Sequence, residues 1–203
     1  MSYLTFAKEA RIRKTVERSV FIAYAREVKD ETAARRFLAE VRAAVPEAAH
    51  HCYAYRLGTE KTEIAHYSDD GEPSGTAGRP ILGAMRAEGV TNAMIVVARI
   101  FGGKKLGIPG LIEAYRSAAA EAIAAAGTRL RTPCSILEFA LPYDRLAAVR
   151  RLASAHGAEE LHASYGEHVL LRLRIPKENE PRFLRDLAGH GLAPSAALLE
   201  EEI

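Results

Sequence analysis

The sequence predicts an α+β protein of two domains, and two observations carry this prediction. Segments typical of strands and of helices alternate along the first part of the chain, up to Thr132. A β-α-β-β-α-β order then follows, which is the ferredoxin-like split βαβ pattern. We therefore predict an N-terminal domain of βαβ type at residues 1–132 and a ferredoxin-like C-terminal domain at residues 133–203.

The N-terminal domain begins with a predicted strand at Ser19–Val28, where β-branched and aromatic residues dominate. Asp30 is a suitable N-cap for the helix that follows, and this helix ends before Pro46. Two strand-like segments on either side of a Gly-Thr-Glu-Lys turn predict a β-hairpin from Cys52 to Ser68. A short helix with apolar residues from Ile81 onwards then closes at a glycine.

The second half of this domain is organised around a central strand at Asn92–Phe101. Its apolar run is almost continuous, which predicts burial on both faces. The alanine-rich segment Leu111–Gly127 predicts a helix, with Gly127 as its C-terminal cap. A last strand is predicted at Arg129–Thr132.

The C-terminal domain repeats the same kinds of signal on a smaller scale. A strand precedes a helix at Tyr143–His156, and a hairpin turns near Gly166. A second helix at Lys177–Gly191 leads to a final strand that begins near Ser195. These elements supply the β-α-β-β-α-β order.

Composition excludes several classes of protein. The 48% hydrophobic and 27% charged residues are typical of a globular chain, and no apolar run approaches the ~20 residues that span a bilayer. The N-terminus lacks the apolar core of a secretory signal. Two cysteines, Cys52 and Cys134, cannot form a disulfide framework or a four-thiolate zinc site. We expect a cytoplasmic protein with no membrane partner.

The charge is distributed unevenly between the two parts. Residues 1–133 hold 20 Lys and Arg against 15 Asp and Glu, a net charge of +5, whereas residues 134–203 hold 8 against 11, a net charge of −3. The basic first part permits an anionic partner such as RNA, although the excess is small enough to be ordinary surface chemistry.

The segment "HYSDDGEPSGTAGRP", His66–Pro80, contains a cluster of carboxylates. Asp69, Asp70 and Glu72, with His50 nearby in the sequence, could serve as acid–base or metal-binding groups of a hydrolase. The Asp-Asp-Gly sequence is equally typical of a turn, and neighbours on a strand point to opposite faces. We predict no metal and no cofactor.

The second half of the same segment favours an anion. Where a helix begins, Gly75, Thr76, Ala77 and Gly78 would present unpaired amides, and the helix dipole attracts negative charge there. The alternative is that Thr76 caps its own helix and Pro80 stiffens the first turn. The spacing is not that of a P-loop.

A second glycine-rich segment, "RIFGGKKLGIPG", follows the central strand. We call Ser68–Gly78 the acidic loop and Phe101–Gly107 the lysine loop. Ligands of α/β folds bind at such strand ends, so cations here could contact phosphates. Alternatively, the lysines pair with the carboxylates of the acidic loop. The predicted phosphate-binding residues of this region are Arg79, Arg99, Gly102, Gly103, Lys104, Lys105 and Arg116.

With these residues in view, the sequence resembles the IMPACT/YigZ family, and in particular its bacterial YigZ-like members. The resemblance is strongest in "YSDDGEPSGTAGRPIL" and "VVARIFGGKKLGIPGLIEAY", and it extends over essentially the whole chain. The motif positions it implies are Ser19, Phe21, His50, Cys52, Asp69, Asp70, Gly71, Glu72, Pro73, Gly75, Thr76, Gly78, Arg99, Gly102, Gly103, Leu106, Gly107, Gly110, Leu111, Ala114 and Tyr115.

The resemblance implies domains like IV and V of elongation factor G, and a role in translation, which the eukaryotic relatives regulate. Four positions, in three places, depart from the family pattern. Ile100 replaces the first of two aromatics after Arg99, which weakens base stacking at that position. Ala49 replaces a threonine, and Ile108-Pro109 changes the glycine-rich run in a way that should stiffen the loop.

We therefore expect a nucleic-acid- or ribosome-associated regulator of translation that binds phosphates in a groove between the acidic loop and the lysine loop. Two alternatives stay open. One is a hydrolase that uses His50, Asp69, Asp70 and Glu72. The other is a protein-binding module whose contact surface is the acidic C-terminal domain, with a partner in translation control.

Overall fold

A computed structural model describes residues 2–58 and 62–202, with the backbone alone for 197–202. Its contacts divide into two compact units, Tyr3–Leu130 and the chain from Arg131 onwards. Both units mix helices and strands, so the predicted α+β class with two domains is confirmed. The boundary after Thr132 and the likeness to elongation factor G stay predictions.

The N-terminal unit contains seven strands and three helices among the described residues. The strands are β1 Tyr3–Phe6, β2 Ala10–Val16, β3 Ser19–Glu27, β4 His50–Leu57, β5 Ile64–Ser68, β6 Ala93–Ile100 and β7 Thr128–Arg131, and the helices are α1 Glu31–Ala44, α2 Gly78–Ala87 and α3 Gly107–Ala126.

Five of these strands form one antiparallel sheet in the order β2-β3-β6-β4-β5, and β1 pairs with β7 in a second. Helix α1 connects β3 to β4, which lie on either side of β6, so these elements form the predicted βαβ unit. Helices α2 and α3 pack on one face of the sheet and α1 packs on the other. Strand β6 is buried at all positions except Ile100, as the sequence predicts.

The prediction that Ser19–Val28 is the first strand is wrong, because β1 and β2 precede it. Strand β2 alternates basic residues with Ala10, Ile12 and Val16, which pack partly buried against the main core. Lys14 lies on the same face between Ile12 and Val16, so it interrupts the apolar pattern that would predict a strand. The predicted hairpin at Cys52–Ser68 is confirmed by antiparallel pairing of β4 with β5, while turn residues 59–61 lie outside the described residues.

Both predicted caps are confirmed. Asp30 Oδ1 accepts a hydrogen bond from the Ala33 amide at 2.7 Å, and Gly127 ends α3 with a φ of 62°. Helix α3 begins at Gly107, four residues before the predicted start at Leu111. Pro109 therefore lies in the first turn of a helix, where proline is tolerated, and not in a loop.

The C-terminal unit has the predicted ferredoxin-like fold. Its elements are β8 Pro133–Leu141, α4 Tyr143–Ala155, β9 Glu159–Tyr165, β10 Val169–Pro176, α5 Glu180–Gly189 and β11 Ala196–Glu202. The sheet runs β11-β8-β10-β9 with antiparallel neighbours. Helices α4 and α5 cover one face, where Phe183 of α5 packs on Phe139 of β8. In the part of the chain described, no helix has both the length and the apolar character needed to cross a membrane.

The start of α2 requires a glycine. A Cβ at Gly78 would lie 2.9 Å from the Ser68 backbone, whereas a Cβ at Gly83 of the same helix would meet no atom within 4 Å. We expect Gly78→Ala to lower the free energy of unfolding by roughly 1–3 kcal/mol through overpacking. Gly83→Ala should be neutral or stabilising by up to about 1 kcal/mol. Urea unfolding followed by circular dichroism measures both; equal effects would contradict this account.

Candidate functional site

Asp69 caps helix α2 from the acidic loop. Its Oδ1 accepts hydrogen bonds from the Ala77 amide at 3.0 Å and the Gly78 amide at 2.8 Å, and its Oδ2 accepts one from the Gly75 amide at 2.8 Å. A carboxylate at a helix N-terminus is stabilised by these donors and by the helix dipole. The anion at this position is therefore a side chain of the protein.

This contact corrects the expectation that the amides of residues 75–78 are unpaired. Three of them bind Asp69, and the Thr76 amide binds the Pro73 carbonyl at 3.1 Å. Thr76 does not cap the helix either, since its hydroxyl donates to the same carbonyl at 2.7 Å. An external phosphate would have to displace Asp69 to bind here.

Asp70 fastens the acidic loop to β4 and α1. Its backbone has a positive φ of 40°, and its carboxylate accepts hydrogen bonds from the His51 amide at 2.7 Å and from Arg42 at 3.0 Å. His50 Nδ1 lies 2.8 Å from the Asp70 carbonyl oxygen. Both side chains therefore hold the loop in place.

Glu72 forms a buried ion pair with Arg99 of β6. The two residues are 8% and 5% exposed, and Arg99 Nη1 donates to Glu72 Oε1 at 2.7 Å. The Tyr115 hydroxyl of α3 donates to the same oxygen at 2.8 Å. Burial raises the pKa of the Tyr115 hydroxyl far above its usual value, so it stays protonated as a donor.

Further contacts extend this pair to the start of β3 and to the lysine loop. Arg99 Nη2 donates to the Ser19 hydroxyl at 3.3 Å, and the Gly102 amide donates to the same hydroxyl at 3.3 Å. The Arg99 guanidinium lies 5.6 Å from the ring centroid of Phe21 and 5.5 Å from that of Phe101. One buried cation thus connects both loops.

Cys52 is part of the same buried region. Its thiol lies 2.9 Å from the Asp69 carbonyl oxygen and 3.4 Å from the Tyr115 hydroxyl. Burial raises the pKa of the Cys52 thiol to about 12, so it is protonated at neutral pH. The structure therefore gives Cys52 a packing role, and its protonated, buried thiol is unsuited to act as a nucleophile.

The four residues of the hydrolase interpretation do not converge on one point. Asp69 faces the α2 amides, Asp70 faces Arg42 and the His51 amide, and Glu72 is buried against Arg99. Among the described residues, no group of three His, Cys, Asp or Glu side chains is placed to hold a metal ion. The geometry gives no support to an acid–base pair in this loop.

Exposed cations lie at the opposite end of the network, in the lysine loop. Lys104 Nζ lies 2.5 Å from Glu17 Oε2, with both side chains more than half exposed. Lys105 forms no ion pair with any described residue. The alternative that the lysines pair with the acidic loop is therefore wrong: Lys104 pairs with Glu17, and Arg99 pairs with Glu72.

An open depression of about 510 Å³ lies beside the lysine loop, in the size range of ligand sites. The β2–β3 turn and α3 form the rest of its lining, and none of its residues comes from the acidic loop. The two loops instead meet at the buried Glu72–Arg99 pair. The lining residues are Lys14, Val16, Glu17, Lys104, Lys105, Leu106, Gly110, Glu113, Ala114 and Ser117.

The remaining predicted cations differ in their surroundings. Arg116 is exposed and pairs with Glu113 at 2.5 Å one turn earlier on α3. Arg79 is exposed in the first turn of α2. Arg99 is buried, so it cannot reach a phosphate in solvent. Gly102 and Gly103 form the turn that precedes the lysines.

Sequence reasoning missed Lys14 and Arg18, which lie near the lysine loop. A Cβ at Gly102 would lie 2.1 Å from the Arg18 carbonyl group, so the β2–β3 turn packs directly on that loop. The alternating basic residues of "ARIRKTVERS" are the signal that could have identified them. They were overlooked because β2 was not predicted.

The Glu72–Arg99 pair generates a prediction about stability. Glu72→Gln leaves a buried guanidinium without its counter-charge and should lower the free energy of unfolding by about 3–5 kcal/mol. The matched control is Glu113→Gln, which removes an exposed arginine partner and should cost less than about 0.5 kcal/mol. Denaturant unfolding compares the two, and similar costs would show that burial of the pair is unimportant.

The raised pKa of Cys52 generates a prediction about reactivity. In a Cys134→Ala background, the native protein should resist an aromatic disulfide reagent at pH 8, because the Cys52 thiol is protonated and buried. Labelling should become complete after unfolding in denaturant. Rapid labelling of the native protein at pH 8, monitored by absorbance of the released thiolate, would contradict the assigned environment.

Comparisons with known proteins agree with this division into two units. A family model described as the Impact N-terminal domain matches residues 17–123, and one described as a domain of unknown function matches residues 139–188. The crystal structure of a hypothetical protein, 31% identical, superposes with a TM-score of 0.68 over 98% of both chains.

Curated relatives show similar coverage. The chain is 31% identical over 202 residues to the IMPACT family member YigZ of Escherichia coli. The aligned region covers 99% of both proteins. It is 38% identical over 165 residues to an IMPACT family member of Thermus thermophilus. That alignment covers 81% of this chain and 88% of the relative. The two loops and their buried connection therefore lie within a recognised family domain: the chain belongs to the IMPACT family.

Proposed function

We propose that this protein is a cytoplasmic regulator of translation that associates with RNA or the ribosome, and that the lysine loop binds phosphates. The observation that carries the proposal is the separation of charge in the N-terminal unit. The carboxylates of the acidic loop face inward or bind neighbouring residues, whereas Lys104 and Lys105 are exposed to solvent.

The composition of the depression supports an anionic ligand. Lys14, Lys104 and Lys105 line it together with Glu17 and Glu113. Lys14 pairs with Glu121 at 2.5 Å and Lys104 pairs with Glu17, so the excess positive charge comes from Lys105. Arg18, in the adjoining turn, is exposed and forms no ion pair with any described residue. Exposed lysine–carboxylate pairs are worth little, so a phosphate can replace Glu17 as the partner of Lys104 at small cost.

The glycine-rich framework supports a fixed binding surface. The lysine loop is anchored by Ser19, which accepts a hydrogen bond from the Gly102 amide, and by α3, which begins directly after it. Cations on an anchored loop lose less conformational entropy on binding than cations on a free one. The role in translation comes from the family resemblance alone.

The test is co-sedimentation with ribosomes, and binding to RNA, across a series of salt concentrations. Lys104→Ala combined with Lys105→Ala should weaken binding and reduce the slope of log K against log salt by about 1.4 for a single strand, because two phosphate contacts are lost. The matched control is Arg151→Ala combined with Arg182→Ala, which removes two exposed cations of the C-terminal unit. That control should bind like the unmodified protein.

Three results would argue against the proposal. An unchanged salt slope in the lysine variant would show that these lysines do not contact phosphate. Equal losses in the lysine variant and in the arginine control would show that only the overall charge matters. Absence of binding at low salt would overturn the association with RNA and ribosomes itself.

A further inference from the structure

Phe101 is the residue that exposes an aromatic ring beside the cations of the lysine loop. It follows the last residue of β6, and 51% of its surface is exposed. Most other large apolar residues of the central sheet are buried in the core. Single exposed apolar residues are common at protein surfaces, so what distinguishes Phe101 is the set of charged groups around its ring.

The Phe101 ring rests on a buried cation. The Arg99 guanidinium lies 5.5 Å from its centroid, and that guanidinium is itself held by Glu72 at 2.7 Å and by the Phe21 ring at 5.6 Å. Because Arg99 is only 5% exposed, it cannot follow a mobile side chain into solvent. Its fixed charge holds Phe101 in place by a cation–π contact.

The neighbouring residues favour a ligand that carries both rings and negative charges. Lys104 and Lys105 follow Phe101 within four residues, and no acidic residue occurs between Arg99 and Glu113. The Arg18 backbone packs against Gly102, the residue next to Phe101. An exposed aromatic ring next to exposed cations is the arrangement by which proteins bind unpaired nucleotides.

We propose that Phe101 is a stacking platform for an unpaired nucleobase, with the adjoining phosphates bound by Lys104, Lys105 and Arg18. This inference rests on the proposed function and specifies the ligand: a single-stranded segment of nucleic acid, in which the base faces are accessible. In a duplex, the faces of the bases are stacked on their neighbours and only phosphates and base edges can be reached. The affinity of the protein for nucleic acid should therefore be higher for a single strand than for a duplex, in addition to its dependence on charge.

Replacement of Phe101 tests the platform directly. Phe101→Leu keeps an apolar side chain but removes the ring, and it should weaken binding of an unstructured oligoribonucleotide about tenfold. Phe101→Tyr keeps the ring and should bind like the unmodified protein. Ile108→Ala is the matched control, since Ile108 is a neighbouring apolar residue with 60% exposure. It should leave the affinity unchanged, and unchanged thermal unfolding would confirm that each variant is folded.

A fluorescence measurement reports stacking independently of affinity. The chain contains no tryptophan, so Phe101→Trp introduces a single indole at the platform. Its emission should be quenched when the oligoribonucleotide saturates the protein, because a base stacks on the indole. A duplex of the same sequence, titrated to saturation, should leave the emission nearly unchanged.

The outcomes separate this inference from the proposed function. If Phe101→Leu binds the oligoribonucleotide normally while the Lys104/Lys105 double variant does not, the platform is refuted and phosphate binding stands. Equal quenching by the duplex would refute the preference for unpaired bases. If the unmodified protein binds neither nucleic acid, the proposed function and the platform fall together.

Discussion

The buried ion pair between Glu72 and Arg99 is the contact on which the rest of the N-terminal unit depends. Two opposite charges removed from water carry a large desolvation cost, which additional hydrogen bonds help to offset. Tyr115 and Ser19 provide such bonds from α3 and β3, whereas the buried Arg99 Nε has no hydrogen-bond partner among the described residues. The pair therefore requires that a loop, a central strand, a helix and an adjacent strand come together in one arrangement. In return, it fixes the acidic loop relative to the lysine loop.

The acidic loop and the lysine loop, which this ion pair connects, have different roles. The acidic loop is a structural element, because Asp69 caps α2 and Asp70 binds Arg42 and the His51 amide. The lysine loop begins where that framework ends, so its cations and Phe101 are held at the surface without being buried. Asp69, Asp70 and Glu72, which resemble a catalytic cluster in the sequence, thus hold the framework that positions the lysine loop.

Most of the fold could be predicted from the sequence, but the partners of its polar residues could not. The apolar run of β6, Asp30 and Gly127 act through local rules of burial and capping, which a sequence displays directly. Asp69, however, caps a helix that begins nine residues later, and Arg99 meets a carboxylate 27 residues away. Whether such a charge is buried depends on tertiary packing. The glycine-rich start of α2 therefore predicted a phosphate site, whereas the Asp69 carboxylate already binds the amides of Gly75, Ala77 and Gly78.

The most direct test of the account is a double-mutant cycle on the ion pair, measured by denaturant unfolding. Glu72→Leu and Arg99→Met, made singly, each leave a buried charge without its partner, whereas the double variant replaces both charges with apolar groups. The account predicts that the double variant is more stable than either single variant, with a coupling free energy of about 3 kcal/mol. Additive losses, with the double variant least stable of all, would contradict the claim that this pair holds the two loops together.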